Sequence, residues 1–192
     1  MYTINKQQAR HIACYTGYHV DRMAQDAIRF GNLPLLRYAV SQGCLIDGIC
    51  YRAAKSGHLH VIQWAKQAGC KIYRDTCCTA AGRGHLHIVR WCIERGEVLW
   101  SFDIGKVAAY HGAVNVLQWA LDNNLPMDSI WNNAVAGGQL AVLQWALSNN
   151  YPRDGHEVYC AARDGHLDVL KWLLNHEFAW DLSACKVAIE HG

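Results

Sequence analysis

Residues 53–69 read AAKSGHLHVIQWAKQAG, and closely similar stretches follow at residues 80–96, AAGRGHLHIVRWCIERG, and at residues 161–177, AARDGHLDVLKWLLNHE. Each stretch holds an alanine pair, two variable residues, a glycine, a histidine, a leucine and, seven residues after the glycine, a tryptophan. Self-similarity at a fixed period indicates a protein built from stacked structural repeats. We therefore interpret single residues only by their position in the repeat.

The glycine that opens this pattern recurs every 26 to 28 residues along the chain. The opening glycines are Gly31, Gly57, Gly84, Gly112, Gly138 and Gly165. A closing residue stands 12 positions after each of them, at Gly43, Gly69, Gly96, Asn124, Asn150 and Glu177. The connection from a closing residue to the next opening glycine varies between 14 and 16 residues. The segment of constant length is therefore the fixed packing unit.

Each period predicts two short helices. The second helix follows the opening glycine, with apolar residues at i, i+3 and i+4, as in Leu59, Ile62 and Ala65. It ends at the closing residue, because Gly and Asn accept the left-handed conformation that terminates helices. The first helix begins near a residue suited to capping and ends at the opening glycine; the candidate capping residues are Asp47, Asp75, Asp103, Asp128 and Ser183. Helices of about ten residues are unstable alone, so the pairs must stack on one another.

This skeleton of an alanine pair, two variable residues, Gly-His-Leu, an aliphatic helix and a glycine cap resembles the ankyrin repeat. Ankyrin repeats usually have a period of about 33 residues, whereas this chain is similar to the short variety of about 27 residues that contains tryptophan and occurs in giant DNA viruses and some protists. The resemblance covers about Asn5 to Gly192. It implies an all-α, ankyrin-like solenoid of stacked helix-turn-helix repeats with shortened or absent β-hairpin fingers.

The repeat also predicts the domain organisation. We expect a single ankyrin-repeat domain over residues 1–192, with an N-terminal cap half-repeat at 1–17 and an incomplete last repeat at 178–192. The complete repeats begin at about residues 18, 44, 70, 97, 125 and 151. The incomplete last repeat indicates either a fragment or a cap made of a single helix.

Composition excludes several classes of protein. With 52% apolar and 18% charged residues, the chain can bury a core and is not intrinsically disordered. It has no apolar stretch long enough to span a membrane, and its polar start, Met1 to Gln8, is unlike a signal peptide. Nine cysteines, an odd number, do not suggest a secreted disulfide framework. We expect an intracellular and cytoplasmic location, in the host cytoplasm if the protein is viral.

Catalysis and metal binding are not indicated. The sequence contains no phosphate-binding loop, nucleophile elbow, zinc-protease helix or dinucleotide fingerprint. The pairs His58/His60 and His85/His87 are spaced i, i+2, which points the two rings to different sides of a helix. We therefore expect no catalytic residue, no metal ligand and no cofactor.

The aromatic residues seven positions after the opening glycines form a constant column: Tyr38, Trp64, Trp91, Trp119, Trp145 and Trp172. Because aliphatic residues accompany them at i, i+3 and i+4, we predict that the five tryptophans are buried in the core. The cysteines at positions 50, 77 and 185 share another column with Trp131, and we expect these side chains to point inward.

The exposed positions of the first helices are the candidate binding residues. In ankyrin proteins the two residues before the glycine line the concave face, and the resemblance carries this role over to the matching positions. With exposed positions earlier in the same helices, the predicted partner-binding residues are Arg29, Phe30, Tyr51, Arg52, Lys55, Arg83, Lys106, Tyr110, His111, Asn133, Tyr159, Arg163 and Asp164. The column Arg37, Gln63, Arg90, Gln118, Gln144 and Lys171 should face solvent from the second helices.

The predicted function is that of a non-enzymatic scaffold that binds a protein partner through the concave helix face. Net charge is +2, but residues 1–96 hold 13 Lys and Arg against 5 Asp and Glu, whereas residues 97–192 hold 5 against 11. An acidic partner segment could therefore dock on the basic half, through Arg29, Arg52, Lys55 and Arg83. Two alternatives stay open: nucleic-acid or acidic-ligand binding on the same half, and structural self-association of the oppositely charged halves as weak oligomers.

Overall fold

The computed structural model of this chain describes residues 20–44 and 48–179, together with residues 184 and 186. All regular secondary structure in these ranges is helical, which confirms the predicted all-α class. The helices are α1 (described over residues 20–29), α2 (Leu33–Ser41), α3 (Ile49–Ser56), α4 (Leu59–Gln67), α5 (Arg74–Gly82), α6 (Leu86–Glu94), α7 (Phe102–Tyr110), α8 (Val114–Asp122), α9 (Ile130–Ala136), α10 (Leu140–Ser148), α11 (Glu157–Arg163) and α12 (Leu167–Asn175). The predicted cap at 1–17 lies outside the described residues, as does most of the incomplete repeat at 178–192.

Both turning points of the period adopt left-handed backbone, which the sequence predicted for the closing residues but not for the opening glycines. The six opening glycines have φ between 67° and 82°, and the six closing residues have φ between 51° and 94°. The residue after the turn returns its N–H to the helix that ends there: His58 donates to the carbonyl of Ala53 at 2.9 Å, and Cys70 to that of Ala65 at 3.0 Å. This bond satisfies a carbonyl that the last helical turn leaves without a partner. Glycine and asparagine therefore set where the helices end.

The chain divides into two compact units, Met1–Thr76 and Cys77–Gly192, with the boundary inside α5. In the first unit α3 packs against α4 as a hairpin. In the second unit α7 pairs with α8, α9 with α10 and α11 with α12, while the first helices α7, α9 and α11 contact one another in succession. These neighbour contacts are consistent with a helical repeat within each unit. The single domain with its repeat boundaries stays a prediction.

Small and aliphatic side chains fill the core of both units. The alanine pair Ala53 and Ala54 of α3 is fully buried, as are Val61, Ile62 and Ala65 of α4. In the second unit the corresponding residues of α7 and α8 are also buried: Ala108, Ala109, Val116, Leu117 and Ala120. Alanine on the first helices lets the helices approach closely, and the aliphatic side chains of the second helices fill the space between them.

The prediction that the tryptophan column is buried is largely wrong. Among the five tryptophans only Trp145 is buried; Trp64, Trp91, Trp119 and Trp172 are half-buried. Tyr38, in the same column, is 56% exposed. At about 100° per residue, Trp64 lies roughly 100° around α4 from the centre of the buried group Val61, Ile62 and Ala65. The column thus marks the edge of the core, and the aliphatic residues mark its centre.

Two further predictions can be compared with the structure. Trp131, Cys50 and Cys77 are buried as expected, whereas Cys185 lies outside the described residues. Asp75 and Asp103 were expected as caps but lie inside the first turns of α5 and α7. A carboxylate there still favours the helix, since it faces the positive end of the helix dipole. The candidates Asp47 and Ser183 lie outside the described residues.

Candidate interaction surface

The predicted partner-binding residues of the first unit lie at the end of α1 and along α3. Arg29, Phe30, Tyr51, Arg52 and Lys55 are all exposed, and Phe30 keeps 71% of its surface accessible. We call these five residues the basic face. Arginine, tyrosine and phenylalanine are enriched at protein interfaces. The basic face therefore has the composition of an interaction surface.

Two histidines fix the backbone that carries this face. His58 donates from Nε2 to the carbonyl of Arg29 at 2.9 Å, and His60 donates from Nε2 to the carbonyl of Gly31 at 2.8 Å. The His58 ring packs so closely that a Cβ at Gly31 would lie 2.7 Å from its Nδ1. These contacts hold the C-terminal end of α1 beside the start of α4, and so beside Lys55 near the end of α3.

The second unit repeats both contacts. His166, placed like His58 directly after an opening glycine, donates to the carbonyl of Ala136 at 3.0 Å. Asn115, placed like His60, donates to the carbonyl of Gly84 at 2.8 Å. This role was not predicted from the sequence, although histidine recurs directly after the opening glycine at His58, His85 and His166. Its function is to join successive repeats through the backbone.

Among the described residues, no carboxylate forms an ion pair with the cations of the basic face. Arg29, Arg52 and Lys55 form no ion pair with any residue that the structure describes. The guanidinium of Arg29 lies 5.5 Å from the centre of the Phe30 ring, a cation–π distance. Because no described carboxylate pairs with these charges, they are available to a ligand of opposite charge.

A cavity of about 460 Å³ lies between α1 and α3 in the first unit, with Ala24, Ile28 and Ile49 among its lining residues. Arg52 and Asp21 also line it, but they are not within ion-pair distance of each other. Burial, with a hydrogen bond to Asp21, raises the pKa of the Cys44 thiol in this cavity. A thiol with a raised pKa is a poor nucleophile at neutral pH, so this cavity does not indicate cysteine chemistry.

A second cavity, of about 320 Å³, borders the basic face at Tyr51. Lys71 and Tyr73, from the connection between α4 and α5, line it together with Tyr51. Lys71 is exposed, and Tyr73 is 65% exposed. The other lining residues are Gly48, Cys50, Gly69, Cys70 and Thr76. Lys71 and Tyr73 were not predicted as binding residues from the sequence, because both lie in the connection of variable length rather than on a helix.

The predicted residues of the second unit occupy the same repeat positions on α7, α9 and α11. We call this set the mixed face; it comprises Lys106, Tyr110, His111, Asn133, Tyr159, Arg163 and Asp164. Arg83, which follows α5, also belongs to this unit and is exposed. Tyr110 and His111 pack edge to face with ring centres 5.0 Å apart. The mixed face thus combines aromatic, basic and acidic side chains.

Polar groups of the mixed face are largely engaged within the unit. Lys106 Nζ lies 3.5 Å from Asp128 Oδ2, and the amide of Asn133 donates to its own helix at the carbonyl of Ser129. Arg163 donates two hydrogen bonds to Asp164, at 2.8 and 2.9 Å. This fork raises the pKa of Arg163 and lowers the pKa of the Asp164 carboxyl. The charges therefore cancel locally.

Two glycines bring backbone close to the aromatic pair of the mixed face. A Cβ at Gly137 would overlap the carbonyl oxygen of Tyr110, and a Cβ at Gly82 would lie 2.8 Å from the His111 ring and 2.9 Å from a methyl of Val107. The C-terminal ends of α7 and α9 can approach this closely only because position 137 lacks a side chain. Packing therefore dictates the residue at position 137.

A buried carboxylate organises the start of α11. Glu157 is 4% exposed, and its Oε1 accepts hydrogen bonds from the backbone N–H groups of Asp154 and Gly155 at 2.8 and 3.0 Å. Asp154 in turn accepts from the N–H of Asn132 at 2.8 Å. Burial raises the pKa of the Asp154 carboxyl, partly offset by that hydrogen bond. These carboxylates satisfy backbone donors and are not arranged as an acid and base pair.

No group of three His, Cys, Asp or Glu side chains within the described ranges could hold a metal ion. None of the helices in those ranges has the length and apolarity needed to cross a bilayer. The fold defines the chain as an all-helical protein whose packed hairpins are consistent with a helical repeat. Comparison with protein-family models gives no match, and comparison with curated proteins gives no significant match.

Proposed function

We propose that this chain is a non-enzymatic, ankyrin-like repeat scaffold that binds a protein partner through the exposed faces of its first helices. The observation that carries the proposal is the basic face, where Arg29, Arg52 and Lys55 are exposed without an ion-pair partner among the described residues. Two exposed aromatic residues, Phe30 and Tyr51, stand among them.

The arrangement of the core supports this proposal. The alanine pairs and aliphatic side chains are buried within each unit. Hydrogen bonds from His58, His60 and His166 to backbone carbonyls join one repeat to the next. Side chains on a rigid backbone lose less entropy on binding than side chains on a loop. The mixed face would add aromatic contacts, chiefly from Tyr110, which is 45% exposed. An intracellular setting, expected from the cysteine content, belongs to the same proposal.

The proposal is tested by capturing partners on the full chain. The bait variant carries Arg52→Glu with Arg83→Glu, one change on the exposed face of the first helices in each unit. The matched control carries Arg37→Glu with Lys171→Glu, equal charge changes on exposed positions of second helices. We expect a protein that the wild type and the control retain and the bait variant loses, with the retention weakening as salt is raised. Equal retention by all three baits would remove the first-helix faces as the binding surface.

A further inference from the structure

The basic face continues into the cavity at Tyr51 as one surface whose positive charges form no ion pair within the described part of the chain. Tyr51 and Lys55 are four residues apart on α3 and lie on the same side of that helix. Tyr51 also lines the cavity formed with Lys71 and Tyr73. Lys71, like the cations of the basic face, has no ion-pair partner among the described residues.

No carboxylate in the described part of the first unit lines this cavity. The carboxylates of that part are Asp21, Asp26 and Asp75. The residues that do line it offer an ammonium group and two phenol rings, Lys71 with Tyr51 and Tyr73. An ammonium group and phenolic hydroxyls can donate to a carboxylate, and the phenol rings can contact an apolar side chain.

Spacing favours an extended peptide as the occupant. Residues four apart on one helix face are about 6 Å apart, which is the separation of Tyr51 from Lys55 expected on α3. Alternate side chains on one side of an extended strand are about 7 Å apart. An extended segment can therefore place successive same-side residues against successive positions of this surface.

We infer that the basic face together with the Tyr51, Lys71 and Tyr73 cavity binds an extended acidic peptide segment of a partner protein, with a carboxylate at Lys71 and further carboxylates at Lys55 and Arg52. This inference rests on the proposed function and names the chemistry of the partner. Charge complementarity orients the segment and speeds its association, while Phe30 and the two tyrosines contact its apolar side chains.

The structure favours this occupant over a second copy of the chain. Residues 77–192 hold 12 Asp and Glu against 8 Lys and Arg, but many of these carboxylates are already engaged. Asp164 is bound by Arg163, Asp128 by Lys106 and Asp122 by Gln118. Glu157 is buried on backbone donors. A second copy would have to give up its own contacts to supply these four, and among the described residues of 77–192 only Asp168 and Glu177 are exposed carboxylates without such a contact.

Nucleic acid is also less well matched. Affinity for a phosphate backbone comes from many cationic contacts along a continuous track, on the order of six to ten. The other exposed cations of the first unit include Arg37 of α2, on the second-helix column that the repeat places away from the first-helix faces. Only Arg29, Arg52, Lys55 and Lys71 belong to the surface described here.

The test measures binding of a fluorescein-labelled peptide of about ten residues, with Glu at alternate positions and one central Phe, to the full chain by fluorescence anisotropy. The matched probe carries Gln for every Glu. We expect the acidic probe to bind, the Gln probe to bind at least roughly tenfold more weakly, and Lys55→Glu with Lys71→Glu to cause a similar loss. Arg37→Glu, an exposed charge reversal on α2 of the same unit, should change affinity less than about twofold.

Tyr73→Ala gives a second readout that does not depend on charge. Because Tyr73 is 65% exposed, its removal leaves the fold intact, as circular dichroism will verify, and we expect it to weaken binding of the acidic probe. Equal affinity for the two probes, or equal losses from Arg37→Glu and the double variant, would overturn the inference.

Two further outcomes would overturn the inference by assigning this surface to a different class of partner. Stronger binding of single-stranded RNA than of the acidic probe would assign the surface to nucleic acid. Concentration-dependent dimers in light scattering that Lys55→Glu with Lys71→Glu abolishes would assign it to a second copy. The two proposals fail separately. Equal retention of every captured partner by the wild type and by Arg52→Glu with Arg83→Glu would remove the proposed function. A partner that Arg52→Glu with Arg83→Glu loses, on a chain that binds the acidic and the Gln probe equally, would keep the scaffold and remove only the acidic segment.

Discussion

The basic face of the first unit and the mixed face of the second use the same positions of one repeat for different purposes. The position two residues before the opening glycine holds Lys55 on α3, which is exposed and has no ion pair among the described residues, but Arg163 on α11, which is bound by Asp164. The next position holds Ser56 in the first unit, but in the second it holds Gly137, on which the approach of α9 to α7 depends.

This difference teaches that position in a repeat does not by itself make a residue a binding residue. An exposed side chain is available to a partner when its own fold makes no use of it. On that criterion, substitutions at packed or hydrogen-bonded positions of the second unit should change stability, whereas substitutions on the basic face should change binding alone. The predictions below test that division, beginning with the largest effect.

Gly137→Ala should destabilise the chain by about 3 kcal/mol. The added Cβ would overlap the backbone carbonyl of Tyr110, which cannot rotate away as a side chain could. Urea denaturation followed by circular dichroism measures the change.

Two comparison variants sharpen this prediction. In Gly82→Ala the added Cβ meets the movable side chains of His111 and Val107, so the variant should lose about 1 kcal/mol of stability. Ser56→Ala, the same repeat position in the first unit, should stay within about 0.5 kcal/mol of wild type. Equal losses of stability at positions 56 and 137 would remove the distinction drawn between the two units.

Glu157→Ala should cost about 2 kcal/mol, because two backbone N–H groups lose a buried charged acceptor. The same repeat position holds Ile49, Ile104 and Ile130 elsewhere, all buried. Glu157→Gln keeps an acceptor oxygen and should recover about half of the loss. Thermal unfolding of the three proteins at neutral pH compares them. If Glu157→Ala is as stable as wild type, water has replaced the carboxylate and the role assigned to it is wrong.

The sequence was sufficient to predict the helix ends, because a left-handed turn needs a residue that tolerates positive φ, and Gly57 and Gly69 stand out in any alignment of the repeats. The sequence was insufficient to predict how far Trp64 is buried. A constant register fixes the angle of a residue around its helix but not how far the neighbouring helix extends over it. The role of Glu157 could not be predicted from the sequence, because its hydrogen-bond donors are backbone groups of a connection, whose conformation the repeat pattern does not determine.

The candidate surface could be predicted only in part. The exposure of Arg29, Arg52 and Lys55 followed from their positions in the repeat. The pairing of Arg163 with its neighbour was not considered, since adjacent residues on a helix rarely face each other. Lys71 and Tyr73 were missed because the connection has no constant length, so its residues cannot be assigned to a column. Partner contacts depend on such three-dimensional details more than the core does.

Glu177→Gly should stabilise the chain by about 1 kcal/mol. Glu177 closes α12 with φ 61°, a conformation costly for a side chain with a Cβ, whereas Gly43 and Gly69 close the helices of the first unit without that cost. Asn150→Gly, with φ 51°, should gain less, because asparagine tolerates this conformation better. The midpoint of urea denaturation measures both. A loss of stability in Glu177→Gly would show that a contact of the glutamate outweighs its backbone strain.

The smallest effect concerns the pair that distinguishes the two faces, and its signature is pH dependence. Arg163 lowers the pKa of the Asp164 carboxyl by hydrogen bonding to its charged form, so the pair stabilises the fold above the unfolded pKa of about 4 and loses that contribution as pH falls through the lower folded pKa. Because both side chains are partly exposed, Asp164→Asn should cost no more than about 0.5 kcal/mol at neutral pH. Urea midpoints measured down the acid range should show the difference from wild type disappearing. Lys55→Gln, one position earlier in the repeat, removes a cation that has no ion-pair partner among the described residues and should match wild type at every pH. A comparable acid-sensitive loss there would mean that the basic face is also engaged within its own fold.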